Sequence, residues 1–314
     1  MVNLTLETYL VTSAISLALI SIGISAQSFG ISKPIFYVIN KLVLWVMLPA
    51  VVFSSIAWQS LDQILGLAKV IALAFVGFGI CFFLAIAASH KMYVSRKIGA
   101  AVTMNSAFMN VTYLGLPVVY AVFGTFEAMA AASMYAMIIG VLHLTLGVAF
   151  VTSSTGKKVS GHAIAYGVLT FPAAFVLIIA LLFVGLGERP PAELITPLNY
   201  LAKPSFALML LLVGYQMPLV NPRKYTSALT VTGIIRLLIC PIVTYACIIL
   251  FGLGVTGTVS RTVMVMAAMP PAVFNVYLAH NFKLDLKLYG TIVLYLTFVS
   301  LFLVLPLMMV ILGF

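Results

Sequence analysis

The stretch SRKIGAAVTMNSAFMNV, residues 95–111, returns at residues 260–276 as SRTVMVMAAMPPAVFNV. At a constant offset of 165 and without a gap, Ser95-Arg96 pairs with Ser260-Arg261, Met104 with Met269, Ala107 with Ala272, and Asn110-Val111 with Asn275-Val276. An echo at so long a period signals a duplicated architecture. Its kind is decided by the sequence around it.

Hydrophobic residues fill 64% of the 314 positions, charged residues only 7%, and the mean hydropathy is +1.23. Soluble domains carry roughly 25% charge, so this composition belongs in a bilayer. A helical span needs about 20 mostly apolar residues, and the polar and Gly/Pro-marked breaks divide the chain into ten candidates. They lie near 6–24, 34–57, 66–88, 99–123, 127–151, 162–186, 196–216, 225–251, 260–281 and 288–312. The N-terminal MVNLTLETYL lacks the positive segment of a cleaved signal and reads as the start of a retained span.

The net charge of +10 does not form a nucleic-acid-binding face, because the basic residues sit in short loops. With the first span running from outside to inside, the inner loops hold Lys33, Lys91, Arg96, Lys97, Lys157, Lys158, Arg223, Lys224, Lys283 and Lys287, and the outer loops only Lys69, Arg189 and Arg261. That asymmetry is the positive-inside pattern, and it predicts a multi-pass protein of the cell membrane with both termini extracellular. The echoed segments open the fourth and ninth spans, where a five-plus-five duplication would put them. Five is odd, so the second unit enters from the opposite face. The expected organisation is a first repeat at 1–152, a cytoplasmic connection at 153–161 and an inverted second repeat at 162–314.

Inverted repeats are characteristic of secondary transporters, whose sites lie near the midplane where paired helices are interrupted. Fourteen residues separate Arg96 from Asn110 and Arg261 from Asn275, so each asparagine lies roughly 21 Å from its own interface and the two meet at mid-depth. Helix breakers accompany them: Gly115 and Pro117 after Asn110, Pro270 and Pro271 before Asn275. Proline removes an amide donor and clashes with the preceding turn, and irregular backbone at this depth survives only when buried in protein or lining a wet cavity. Half-helix N-termini expose free N–H groups and positive dipole ends, which suit carboxylates. The pair is therefore expected to bind a small organic anion. A membrane asparagine is otherwise an interhelical hydrogen-bonding residue, and Asn105 and Thr112, which have no symmetric counterpart, are candidates without that support.

These motifs resemble a known family. FMNVTYLGLPVVYAVFG, with Asn110, Gly115 and Pro117 in the pattern Asn-x4-Gly-x-Pro, resembles the first crossover segment of the auxin efflux carrier family, which includes plant exporters and prokaryotic malate and malonate permease-like transporters. AAMPPAVFNVYLAHNF resembles the second crossover, and LPAVVFSSIA at 48–57 the second helix. The resemblance implies an all-α membrane fold of ten helices, two inverted five-helix repeats with crossed broken helices as in bile-acid-symporter/NhaA-like proteins. It also implies a moving transport part against a scaffold, elevator-type alternating access, efflux of organic anions and a homodimer. One departure stands out: family members carry Pro immediately before the first crossover Asn, where this chain has Met109. A milder break, or one shifted towards Gly115, is expected in the fourth span.

All six acids sit at span ends or in loops, so no carboxylate is available at depth as a proton relay or sodium ligand. An anion leaving a negative-inside cell gains about 2.3 kcal/mol per charge per 100 mV, enough for a gradient of roughly fiftyfold, and potential-driven uniport is the expected mechanism. Sodium held by freed carbonyls and Asn oxygens is the alternative. Arg236 lies deep in the eighth span, either as counter-charge for substrate or as a brace for neighbouring helix ends. His143, in the fifth, is expected neutral and hydrogen-bonded. Cys81, Cys240 and Cys247 fall in apolar spans as small hydrophobes, and the four histidines are scattered without metal spacing. No nucleophile with base, acid pair or cofactor motif is present, so neither an enzyme nor a bound cofactor or metal is expected.

Overall fold

The computed structural model describes residues 6–92, 94–156, 158, 160–217 and 221–312. Lys157, part of the expected 153–161 connection, and the chain ends at 1–5 and 313–314 lie outside the described residues. Everything regular is helical. The rods are α1 Leu6–Ser28, α2 Lys33–Ile56, α3 Leu61–Lys91, α4 Arg96–Ala107, α5 Val111–Phe123, α6 Phe126–Ser154, α7 Gly161–Leu169, α8 Pro172–Gly185, α9 Ala192–Tyr215, α10 Pro222–Leu250, α11 Thr258–Ala267, α12 Phe274–Asn281 and α13 Leu286–Ile311. Among the described residues seven of these, α1, α2, α3, α6, α9, α10 and α13, are long and apolar enough to cross a membrane. The expected spans at 99–123, 162–186 and 260–281 are instead each folded as two shorter helices.

Local chemistry explains the helix starts. Ser60 caps α3 through a reciprocal box with Gln63, Ser95 accepts from the Ile98 N–H at the head of α4, Thr125 accepts from Ala128 at the head of α6, and Asp285 from Leu288 at the head of α13. Each satisfies a backbone donor that the first turn leaves open. The echoed Ser-Arg pair does not repeat that role: Ser260 sits inside α11, which begins two residues earlier at Thr258. The break between α7 and α8, absent from the sequence expectation, falls at Thr170–Phe171 because Pro172 pushes the residue before it out of helical geometry; Phe171 is extended at φ −79°, ψ 106°.

Prolines inside the rods leave a second mark. Wider π-helical turns at Val43–Met47, Val111–Gly115, Ile234–Ile239 and Ser300–Val304 each end two residues before a proline, at Pro49, Pro117, Pro241 and Pro306. A proline supplies no N–H to the carbonyl four residues back and its ring crowds that carbonyl. Shifting the upstream turn to the wider pattern relieves both without ending the helix. His143–Gly147 in α6 is a further π turn, without a proline.

The rods pack in two groups. In one, α1 crosses α9, and the second half of α2 lies between α9 and α8. Backbone touches backbone where α1 and α9 cross: a Cβ at Gly23 would strike Leu211 O, and one at Gly214 would strike Ile20 O. In the other group α3 packs on α4, α6 and α10, α11 lies against α6, and α12 folds onto α13. Polar contacts between the groups are few: Ser55 Oγ to Ser133 Oγ at 3.0 Å, Gln59 Nε2 donating to Phe126 O at 3.3 Å, and the Tyr113 hydroxyl donating to Asn40 Oδ1 at 2.6 Å.

Candidate functional site

Two extended stretches, Phe108–Asn110 between α4 and α5 and Ala268–Val273 between α11 and α12, meet inside the second group. Met109 and Pro271 form an antiparallel β-bridge, in which Asn110 N–H donates to Pro270 O at 2.7 Å and Ala272 N–H to Phe108 O at 2.8 Å. Each stretch supplies the hydrogen bonds that the other lost by leaving the helix. Buried backbone must be paired somewhere, so a break here is stable only because a second break faces it.

The break in the fourth span therefore lies at Phe108–Asn110, although no proline precedes Asn110, and it is not shifted towards Gly115. Pairing with residues 270–272 takes the place of a local breaker. Gly115 and Pro117, expected as breakers, belong to the continuous helix beyond: Gly115 N–H donates to Asn110 O at 2.9 Å and its φ, ψ are −63°, −49°. Gly115 is small for another reason, since a Cβ there would lie 2.7 Å from Met266 Sδ, where α5 crosses α11. Pro270 and Pro271 do lie within a break, the position where a missing N–H costs nothing.

Four helix ends converge on the bridge: the C-termini of α4 and α11 and the N-termini of α5 and α12. The fully buried Arg236 of α10 reaches both C-termini. Its guanidinium donates to Ser106 O at 3.3 Å and to Ala267 O at 2.6 Å, with Cys240 Sγ as a further contact. Each helix C-terminus carries roughly half a negative charge, so the arginine sits where two such ends add. This is the geometry of the brace: both terminal nitrogens donate to backbone carbonyls, while the buried Nε has no hydrogen-bond partner. Ser300, on the π turn of α13, donates to the neighbouring Ala268 O at 2.8 Å.

Asn275, at 0% exposure, is engaged at both ends of its amide. Its Nδ2 donates to Met104 O at 3.2 Å, Asn105 Oδ1 at 3.1 Å and Phe108 O at 3.4 Å, while its Oδ1 accepts from His143 Nε2 at 2.8 Å. Asn105 is likewise engaged at both ends, because its Nδ2 donates to Ala101 O at 2.8 Å and its Oδ1 accepts from Asn275, which it steadies. Asn110 differs. It is 3% exposed, and its Nδ2 has no hydrogen-bond partner. Thr112 is half-buried on the π turn that follows.

The structure thus gathers Asn105, Asn110, Asn275, Pro270, Pro271 and Arg236 around one bridge, with Gly115, Pro117 and Thr112 just beyond it on α5. The structure adds two members to that set. His143, expected as a hydrogen-bonded imidazole, stacks on Phe108 with ring centroids 4.3 Å apart and holds Asn275, and Ser300, which sequence reasoning missed, caps Ala268. The signal for Ser300 was a polar residue inside an apolar run six positions before Pro306. Among the described residues no three His, Cys, Asp or Glu side chains are grouped to hold a metal.

Residues 15–165 match a family model described as membrane transport protein. The chain is 24% identical over 300 residues to an uncharacterized transporter of Methanocaldococcus jannaschii, covering 91% of this chain and 94% of that protein. It is also 24% identical over 263 residues to an uncharacterized transporter of Methanothermobacter thermautotrophicus, covering 84% and 85%.

Proposed function

We propose that this chain, a membrane transporter whose residues 15–165 match the auxin efflux carrier-like family, exports a small organic anion, a carboxylate, by potential-driven uniport. The observation that carries this reading is the unpartnered Nδ2 of Asn110, a buried donor at the N-terminal end of α5, beside negative helix ends already occupied by Arg236. Ser106 Oγ and Arg236 Nε are also unpartnered there, but the Asn110 donor is the one at the positive end of a helix, which attracts a carboxylate oxygen. Asn275 and Asn105 hold the bridge in shape, and Arg236 braces it without touching the substrate.

Sodium coupling is the second reading, and the carbonyls argue against it. Met104 O, Ser106 O, Phe108 O, Ala267 O, Ala268 O and Pro270 O all accept hydrogen bonds from protein donors, which leaves a sodium ion to compete with each of them.

On this reading the paired helices α4/α5, α7/α8 and α11/α12 each complete a crossing. The chain then makes ten transmembrane crossings as two inverted five-helix repeats, with both termini extracellular. The grouping of α1, α2, α8 and α9 apart from the helices of the bridge supports an elevator-type motion, in which the second group slides along the first. A homodimer follows from the family resemblance alone.

The test is flux in proteoliposomes loaded with mono- and dicarboxylates, under an imposed potassium diffusion potential, with and without sodium or a pH gradient. Saturable counterflow driven by potential in sodium-free buffer is expected. Strict dependence on sodium, or unitary conductance in place of counterflow, would replace this mechanism.

A further inference from the structure

Away from the bridge, a cleft of about 430 Å³ opens on the face that carries the 57–60, 124–125 and 187–191 turns. Its volume falls within the roughly 300–1,000 Å³ of ordinary ligand pockets. It is built by the turn after α2 with Trp58 and Gln59, the start of α3 with Gln63, the start of α6 with Phe126 and Glu127, and the start of α9 with Thr196 and Asn199.

The cleft has two chemical poles. At one, the Trp58 indole N–H is buried and has no acceptor, and the Arg189 guanidinium lies 5.8 Å above the Trp58 ring. An indole nitrogen only donates, so this end awaits an oxyanion. At the other pole is the exposed carboxylate of Glu127, with the Phe126 ring beside it. Asp62 and Glu193 adjoin the lining residues Gln63 and Ala192 in the chain. Glu127 is the acid that lines the cleft. Carboxylate and aromatic faces together suit an organic ammonium group.

The geometry points to a binding site for a zwitterion, its ammonium at Glu127 and its oxyanion at Trp58 and Arg189. Ethanolamine phosphate has this chemistry, either free or as the headgroup of a phospholipid, and a tryptophan such as Trp58 is a residue type enriched at membrane interfaces. The floor is the Gln59 side chain, whose Nε2 donates to Ser55 O at 3.1 Å and across to Phe126 O at 3.3 Å. An occupant therefore touches both helix groups at once, and reaches α6, the helix that carries His143.

Two arms test the site on the purified full chain. In the first, delipidated protein is titrated with free O-phosphoethanolamine and its unfolding temperature followed. In the second, the protein is reconstituted with phosphatidylethanolamine or phosphatidylglycerol, and retained lipid is counted by native mass spectrometry. Glu127→Gln and Trp58→Phe each remove one pole while keeping shape, and each is expected to weaken binding about tenfold, as loss of a charged or buried hydrogen bond does. Anion counterflow in the absence of zwitterion stays unchanged in Glu127→Gln. A thermal shift with the free compound, lost in both variants, supports a soluble ligand; selective retention of phosphatidylethanolamine, lost in both variants, supports a lipid headgroup. The inference is overturned if neither arm responds, or if the Glu127→Gln protein responds as the wild type does.

Discussion

Asn110 and Asn275 are equivalent by sequence and opposite by structure. Asn275 binds three acceptors and one donor, whereas the Asn110 Nδ2 binds none. The same residue at the same position of the echoed segment therefore builds the bridge in one copy and keeps an unpartnered donor in the other. A duplicated motif supplies two copies of a chemical group, but a site needs an asymmetry, because a donor satisfied by protein has nothing left for a ligand. The neighbours decide which copy is free. Asn105 and His143 converge on Asn275; the Asn110 side chain has no such pair, although its own N–H holds the bridge to Pro270.

The largest effect that sharpens this contrast is expected from Arg236→Met. It strips the guanidinium from Ser106 O and Ala267 O and should cost roughly 2–6 kcal/mol, about 1–3 for each buried carbonyl left without its donor. Loss of the folded protein in thermal unfolding and gel filtration is the expected readout; a stable variant with weakened anion affinity would return Arg236 to the substrate. Next comes Asn275→Ala, which orphans the His143 Nε2–H and Asn105 Oδ1. About 1–3 kcal/mol of stability should disappear together with transport. Asn110→Ala separates the two asparagines most cleanly. Counterflow should fall at least about tenfold while the unfolding temperature holds or rises, since an unpartnered buried amide is removed. A destabilisation equal to that of Asn275→Ala would erase the contrast. Thr112→Val is expected to do least: it lies beyond the bridge, and flux and stability should both stay within about twofold of wild type.

Much of the frame was legible before any coordinates. The starts and ends of α2, α6 and α13 fall within a few residues of the expected spans, because hydropathy and length in a bilayer leave a chain little choice. The two interrupted helices were legible from the 95–111 and 260–276 echo. The interruption at Thr170–Phe171 was missed, although Pro172 announces it, since it has no counterpart in the other half. The break in the fourth span was misplaced for a physical reason. A proline search looks for a residue that cannot donate, whereas Phe108–Asn110 unwinds because Ala272 N–H and Pro270 O across the gap offer better partners than the helix does.

The amino-acid sequence by itself determined that this chain lives in lipid, that it is helical, and that two asparagines recur at an offset of 165 in an echoed segment. Those are properties of composition and spacing, which act along the chain. Only the tertiary structure decided that Arg236 serves the C-terminal carbonyls of α4 and α11, that Asn275 is taken by Asn105 and His143, and that Asn110 keeps a free donor. A hydrogen bond is a property of two groups in one place, and residues 132 apart, as His143 and Asn275 are, carry no mark in the sequence that they will meet.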